Sequence, residues 1–224
     1  MNQINQVIMK KIALIGASGL VGSAILKESL RRGHLVTAIV RHPDKITIKG
    51  PGLQIKQGDV LSGQSVPELI SGADVVISAY NPGWANPNIA DETTRAYNSI
   101  IQGVKKAKVP RLLIVGGAGS LYVAPEKRLM DTGVIPESFM PAIKALAGVL
   151  YGLQQDGNDL DWVFFSPAGN IAPGERTGKF RLGKDDLIVD EKGESHISVE
   201  DYAMAMLNEV EAPEHHRERF TIGY

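Results

Sequence analysis

Cysteine is missing from this 224-residue chain. Its absence excludes disulfides, thiolate metal sites and a cysteine nucleophile together, and agrees with a cytoplasmic protein. An excess of charge of either sign is missing too: 24 Lys and Arg stand against 25 Asp and Glu, a formal net charge of −1. Such a balance makes no field to gather nucleic acid or an anionic membrane surface, and neither is expected as a partner. No apolar run reaches the roughly 18 residues that a membrane-spanning helix needs, and the opening MNQINQVIMKKIALIG has no apolar signal core. The five histidines (His34, His42, His196, His215 and His216) are scattered. His215 and His216 lie in a charged stretch and read as a solvated turn, so no metal site is expected.

What the chain does have is alternation. Apolar strand-like runs at 11–15, 34–40, 53–59, 74–80, 111–119 and 161–167 are separated by helical stretches at 20–32, 65–72, 88–108 and 137–156, with a last helix at 199–210. The strands are mostly continuous apolar runs, as in a sheet covered on both faces. With crossover helices between them, they imply an α/β fold with a Rossmann-type, doubly wound parallel sheet. Residues 1–9 read as a flexible extension. Residues 169–197, with several glycines and the short β-like pieces GKFRLG and DDLIVD, read as a small C-terminal elaboration capping the substrate side. The expectation is one domain over 1–224; the two long helices could pair in a homodimer.

At the end of the first strand, KIALIGASGLVGSAI places Gly16, Gly19 and Gly22 three apart, just where a helix begins. A diphosphate brought to a helix N-terminus meets free backbone N–H groups and the positive end of the helix dipole. Side chains there would hold it away. The run Gly16, Ala17, Ser18, Gly19, Leu20, Val21 and Gly22 is therefore read as the main-chain grip on a dinucleotide, the strand-turn-helix context confirming the motif. The second strand ends in IVRHP, where an acidic residue would bind the 2′-hydroxyl of NAD; here stand Arg41 and His42. A planar guanidinium suits a 2′-phosphate, so NADP(H) is favoured over NAD(H).

In IGASGLVGSAI, VRHPDKI, GDV (58–60), VPRLLIVGGAGSL and SHISVEDYAMAML the chain resembles the atypical short-chain dehydrogenase/reductases. The nearest group is the small NAD(P)H-binding proteins of NmrA-like and biliverdin/flavin-reductase-like type. The resemblance runs over nearly the whole chain and implies further cofactor contacts. Asp59 and Val60 would lie against adenine. Ala79, Tyr80 and Asn81 would line the ribose and phosphates, and Gly116 and Gly117 would close the fifth strand near the nicotinamide. Pro167, Ala168 and Asn170 would flank nicotinamide and substrate, and His196 would contact substrate from the segment before the last helix.

The main branch of that superfamily uses a serine and a tyrosine with a lysine four residues later, the phenol acting as general acid or base. This chain has no Y-x-x-x-K. Met140 stands four before Lys144, Glu126 four after Tyr122 and Gln155 four after Tyr151. Lys144 resembles a lysine that some relatives keep beside the cofactor without its tyrosine. Ser120, Lys144 and Tyr151 are the catalytic candidates. Trp84, in YNPGWANP, is a candidate stacking wall for a substrate. The reading is an NADPH-dependent reductase of a small conjugated acceptor such as a flavin or quinone, which can take hydride at a ring position or conjugated carbon and draw its proton from water. The alternatives are a non-catalytic NADP(H)-sensing regulator and, with little room for its substrate domain, a nucleotide-sugar epimerase or dehydratase.

Overall fold

A computed structural model describes residues 9–61, 66–156 and 159–224. The expected N-terminal extension, apart from Met9, lies outside the described residues, as does Ser65 at the start of the second expected helix. Eight strands form one sheet in the order β10-β12-β8-β5-β4-β1-β2-β3. From the middle outward these are β1 (Lys11–Ile15), β2 (Leu35–Val40), β3 (Leu53–Gln57), β4 (Val75–Ser78), β5 (Arg111–Val115), β8 (Asp161–Ser166), β12 (Glu218–Gly223) and β10 (Arg181–Gly183). All neighbours run parallel except β10 against β12. The order reverses between β1 and β4, and at such a switch point the outgoing loops diverge and leave a crevice.

The apolar run of each inner strand is accounted for by burial on both faces. One cluster packs α1 (Leu20–Arg31) and α5 (Val199–Glu211) on the sheet through Ile25, Leu26, Tyr202 and Met206; the other packs α3 (Ile89–Ala107) and α4 (Met140–Asp156) through Tyr97, Ile100, Leu150 and Leu153. A short α2 (Val66–Leu69) leads into β4. Edge strand β3, LQIKQ, alternates instead and exposes Ile55; a lysine on such an edge discourages pairing with another chain.

The expected cap contributes more to the sheet than a hairpin beyond it. Its GKFRLG piece supplies edge strand β10, while β9 (Asn170–Ala172) and β11 (His196–Ser198) pair in parallel as a separate ribbon. Residues 185–187 lie beside β6 (Tyr122–Ala124), which pairs with β7 (Lys127–Arg128): Tyr122 N–H donates to Asp185 O and Leu187 N–H to Tyr122 O, both at 2.8 Å. Strand β12 is not among the six strands expected. ERFTIG is short and follows a charged stretch, yet it pairs with β8 and is buried from Arg219 onward.

The reading of His215 and His216 as a solvated turn needs correction at His215. Its ring stacks on Phe220 with centroids 4.0 Å apart, and Nδ1 lies 2.8 Å from Glu209 Oε2. Glu209 in turn binds Arg111 at 2.5 Å. An apolar ring five residues on, in β12, and a buried carboxylate six residues back, in α5, draw His215 inward. His216 stays exposed beside Asp161, 3.0 Å away.

Candidate nucleotide-binding site

The ends of β1, β2 and β4, with the turn after β3, surround a small hollow of about 110 Å3. Backbone hydrogen bonds hold its rim: Gly16 N–H donates to Ile39 O at 3.1 Å, Gly58 N–H to Val40 O at 3.0 Å and Ala79 N–H to Ile15 O at 2.9 Å. Gly16, Ser18 and Gly19 form one side, Arg41, Asp59 and Val60 another, and Ala79, Tyr80 and Asn81 the third. These predicted residues, scattered from 16 to 81, are brought together by the topology.

The three glycines differ in what forbids a side chain. Gly16 has φ +81°, and a Cβ there would sit 2.5 Å from Ala79 O. At Gly22 a Cβ would stand 2.1 Å from Gly16 O, so α1 can lie this close to the turn only with glycine. At Gly19 the nearest atom to a Cβ, Gly16 O, is 3.5 Å away, an ordinary contact. Among the described residues nothing requires Gly19 to be bare. It is exposed at the N-cap of α1 with no side-chain cap, and the first-turn amides beyond it have no intrahelical acceptor. A ligand occupying the space above Gly19 is what a side chain there would obstruct. Among the neighbours, Ala17 is buried in the core, whereas Leu20 is half exposed at the start of α1.

The electrostatics of the hollow are mixed but favour an anion. Arg41 is exposed, and its guanidinium has no hydrogen bond or ion pair among the described residues. His42, also exposed, uses its backbone carbonyl to accept from Lys45 N–H. Asp59 Oδ1 accepts from Leu61 N–H at 2.9 Å, and Asn81 Oδ1 accepts from Gly83 N–H at 2.7 Å. Burial pushes the Tyr80 phenol up to about 12, and the Tyr97 ring meets it edge-on at 6.3 Å.

The remaining predicted residues lie further along the sheet. Gly116 N–H donates to Phe165 O at 2.8 Å, and Gly117 leads into a 3-10 turn, Ala118–Ser120. Pro167 and Ala168 are buried after β8, while Asn170 is exposed on β9 and paired in register with His196. Trp84 is 60% exposed and meets the Phe139 ring edge-on at 5.3 Å. Phe139, on the turn entering α4, was not singled out from sequence; a lone aromatic before a helix carries no signal of its own.

No hydrogen bond joins the catalytic candidates to one another among the described residues. Ser120 is buried, and both its carbonyl and Oγ accept from Arg219 Nη1, at 2.9 and 3.0 Å. Arg219 also binds Asp185 of the cap at 2.5 Å, so Ser120 belongs to an anchor between loop and cap. Tyr151 Oη accepts from Arg128 Nη1 at 2.9 Å. It lies eleven residues into α4, about 16 Å along the axis from the end nearest the β5 loop. Lys144 is exposed near that end, and its charge helps hold the Asp131 carboxyl below the usual range, after the larger effect of the Arg128 hydrogen bond.

Fold and hollow together define a nucleotide-binding protein of the Rossmann class. Comparison with known proteins goes one step further: residues 16–213 match the family model described as NAD(P)H-binding, and the chain belongs to that family. The protein is 44% identical over 215 residues to the uncharacterised protein YwnB of Bacillus subtilis, covering 95% of this chain and 97% of YwnB. A Bacteroides thetaiotaomicron structure provisionally named an epimerase shares 58% identity with a TM-score of 0.90, covering 96% of this chain and 97% of that one. A Streptococcus pneumoniae structure provisionally named an NADH-flavin reductase shares 37% identity with a TM-score of 0.83, over 96% and 99% of the two chains. The resemblance to atypical short-chain dehydrogenase/reductases therefore holds, and the family implies a nicotinamide cofactor. The bare surface above Gly19 and the free amides of α1 have the donor chemistry a diphosphate would need. No helix among the described residues is long and apolar enough to cross a membrane.

Proposed function

We propose that the protein is a cytoplasmic, NADPH-dependent reductase of a small conjugated acceptor such as a flavin or a quinone. The observation that carries this is the hollow itself, where bare Gly19 and the α1 amides face Arg41 at the place where a carboxylate would select NAD. When bound, the nicotinamide supplies hydride. Residues 16–22 hold the diphosphate, Arg41 and His42 neutralise a 2′-phosphate, and Asp59 and Val60 border adenine. Gly116, Gly117, Pro167, Ala168 and Lys144 line the nicotinamide end. Trp84, backed by Phe139, presents an aromatic wall against which a flat acceptor can lie, bringing its reacting carbon within reach. The provisional name of the Streptococcus pneumoniae relative points to flavin reduction but specifies NADH; Arg41 and His42 in place of an acidic residue at the end of β2 are what favour NADPH here.

A second reading, a regulator of NmrA-like type that binds NADP(H) without turnover, draws on the dispersal of Ser120, Lys144 and Tyr151. Purified protein mixed with NADPH or NADH and a panel of FMN, FAD, biliverdin and quinones separates the two. Oxidation of NADPH well above background with one acceptor, and faster than with NADH, is the expected result. Binding of both redox forms with equal affinity and no turnover would establish the regulator instead.

A further inference from the structure

One imidazole, on the segment paired with the chain that follows β8, has one ring nitrogen buried near a carboxylate. His196 begins β11, in register with Asn170 of β9. Its neighbour Ser195 accepts from Gly169 N–H through Oγ at 2.9 Å and from Asn170 N–H through its carbonyl at 2.9 Å. The ring is thereby fastened to the segment that directly follows Pro167 and Ala168, at the carboxyl end of β8, where ligands of such sheets bind. The edge of the Tyr224 ring lies against it, centroids 5.2 Å apart.

The two ring nitrogens are placed differently. Nδ1 is buried, has no hydrogen-bond partner among the described residues and lies 3.9 Å from Asp190 Oδ2. The side chain as a whole is 40% exposed, so its accessible surface lies away from Nδ1. Asp190 is itself held by a tight loop: Oδ1 accepts from Lys192 N–H at 2.8 Å and from Glu194 N–H at 2.9 Å, leaving Oδ2 directed toward the imidazole. The charged and titratable groups facing His196 are thus Asp190, Glu194 and, through Asp190, Lys192, with the Tyr224 phenol turned away to Asp201 and Ser198. A carboxylate fixed behind one nitrogen sets the tautomer and leaves the other nitrogen to handle a proton.

We propose that His196, oriented by Asp190, is the proton donor to the acceptor, in place of the missing Tyr–Lys pair. This rests on the reductase reading. The acceptor gains a hydride, on N5 of a flavin or on a conjugated carbon of another acceptor, from the reduced nicotinamide cofactor, and a proton on a conjugated nitrogen or oxygen. That proton leaves Nε2, the N–H bond breaking as the new bond forms, and the exposed edge of the ring regains one from water. Asp190 stays ionised throughout and acts as a positioning residue.

Two measurements test this. In the cofactor-free protein, nitrogen-15 NMR of the neutral His196 ring should show its proton on Nδ1, facing Asp190, and Asp190→Asn should remove that preference. With a working acceptor, wild-type kcat should fall as pH rises and the donor proton is lost. His196→Gln should lower kcat at least about tenfold at the acidic end and flatten the profile, while KM and NADPH affinity change less than about twofold. Turnover by wild type together with an unchanged profile in His196→Gln would overturn the assignment and leave the reductase reading intact. A neutral ring protonated on Nε2 would overturn the role of Asp190. No turnover with any acceptor would remove the reading, and this assignment with it.

Discussion

At the scale of single residues, the three glycines of the first turn separate what the fold needs from what a ligand needs. A methyl at Gly22 would collide with the Gly16 carbonyl, whereas one at Gly19 would meet ordinary contact distances. Gly22→Ala is therefore expected to destabilise the protein by about 3 kcal/mol in urea unfolding. Gly19→Ala should cost less than about 1 kcal/mol, yet weaken NADPH at least about tenfold by calorimetry, or about 1.4 kcal/mol. Equal loss of stability in both variants would mean that Gly19 serves the turn alone. The spacing of the glycines was legible in the sequence because a strand-to-helix turn is local. Their unequal roles were not, since Gly22 is constrained by the Gly16 carbonyl within the folded turn and Gly16 by the Ala79 carbonyl, which the sheet brings near.

Among the elements, helix ends show the same division between local rules and tertiary contacts. Helix α5 is capped by Ser198, whose Oγ accepts from Asp201 N–H at 3.0 Å, a local bond between residues three apart. Helix α3 ends less typically, with Lys108 in the left-handed region at φ 54°. Lysine has no local hydrogen bond to favour that conformation, and glycine adopts it freely. Lys108→Gly is expected to raise stability by about 0.5–1 kcal/mol in thermal unfolding; a loss would show that the lysine side chain is needed for packing. Strand β12 went unread for a related reason. Its apolar residues are few and follow charged ones, and only the exposed flank of β8 makes them a strand. Arg219 within it reads as a surface charge until the fold supplies Asp185 and Ser120 as partners.

For the molecule as a whole, charge clusters join parts that no local pattern connects. Glu28 of α1 is buried, and burial alone would raise its carboxyl; hydrogen bonds from Arg31, Arg176 and Arg32 outweigh that and hold it far below the usual range. Arg176 comes from the cap, and Arg32 reaches on to Glu211 of α5 at 2.7 Å, so one carboxylate ties cap, α1 and α5 together. A carboxyl lowered in this way contributes its full stability above its unfolded value of about 4.3 and loses it as pH falls. Glu28→Gln should thus destabilise the protein by about 3 kcal/mol at neutral pH, and the gap from wild type should narrow below about pH 4 in pH-dependent unfolding. A gap independent of pH would show that packing, not charge, supplies the stability.

By itself the sequence determined the class of fold, the glycine turn and the lack of an acidic residue at the end of β2, because all of these follow from short-range periodicity and backbone sterics. The gathering of residues 16 to 81 around one hollow followed from that topology, since strand ends at a switch point must converge. Only the tertiary structure decided that Ser120 is bound to Arg219, that Tyr151 is bound to Arg128, and that His196 turns one nitrogen toward Asp190. In the first two, partners 99 and 23 residues apart meet through packing of loop, cap and helix. In the third a tight loop aims the carboxylate, and its pairing with β9 sets the ring beside β8. Side-chain direction is set by such contacts, and a linear pattern of residue types does not encode them.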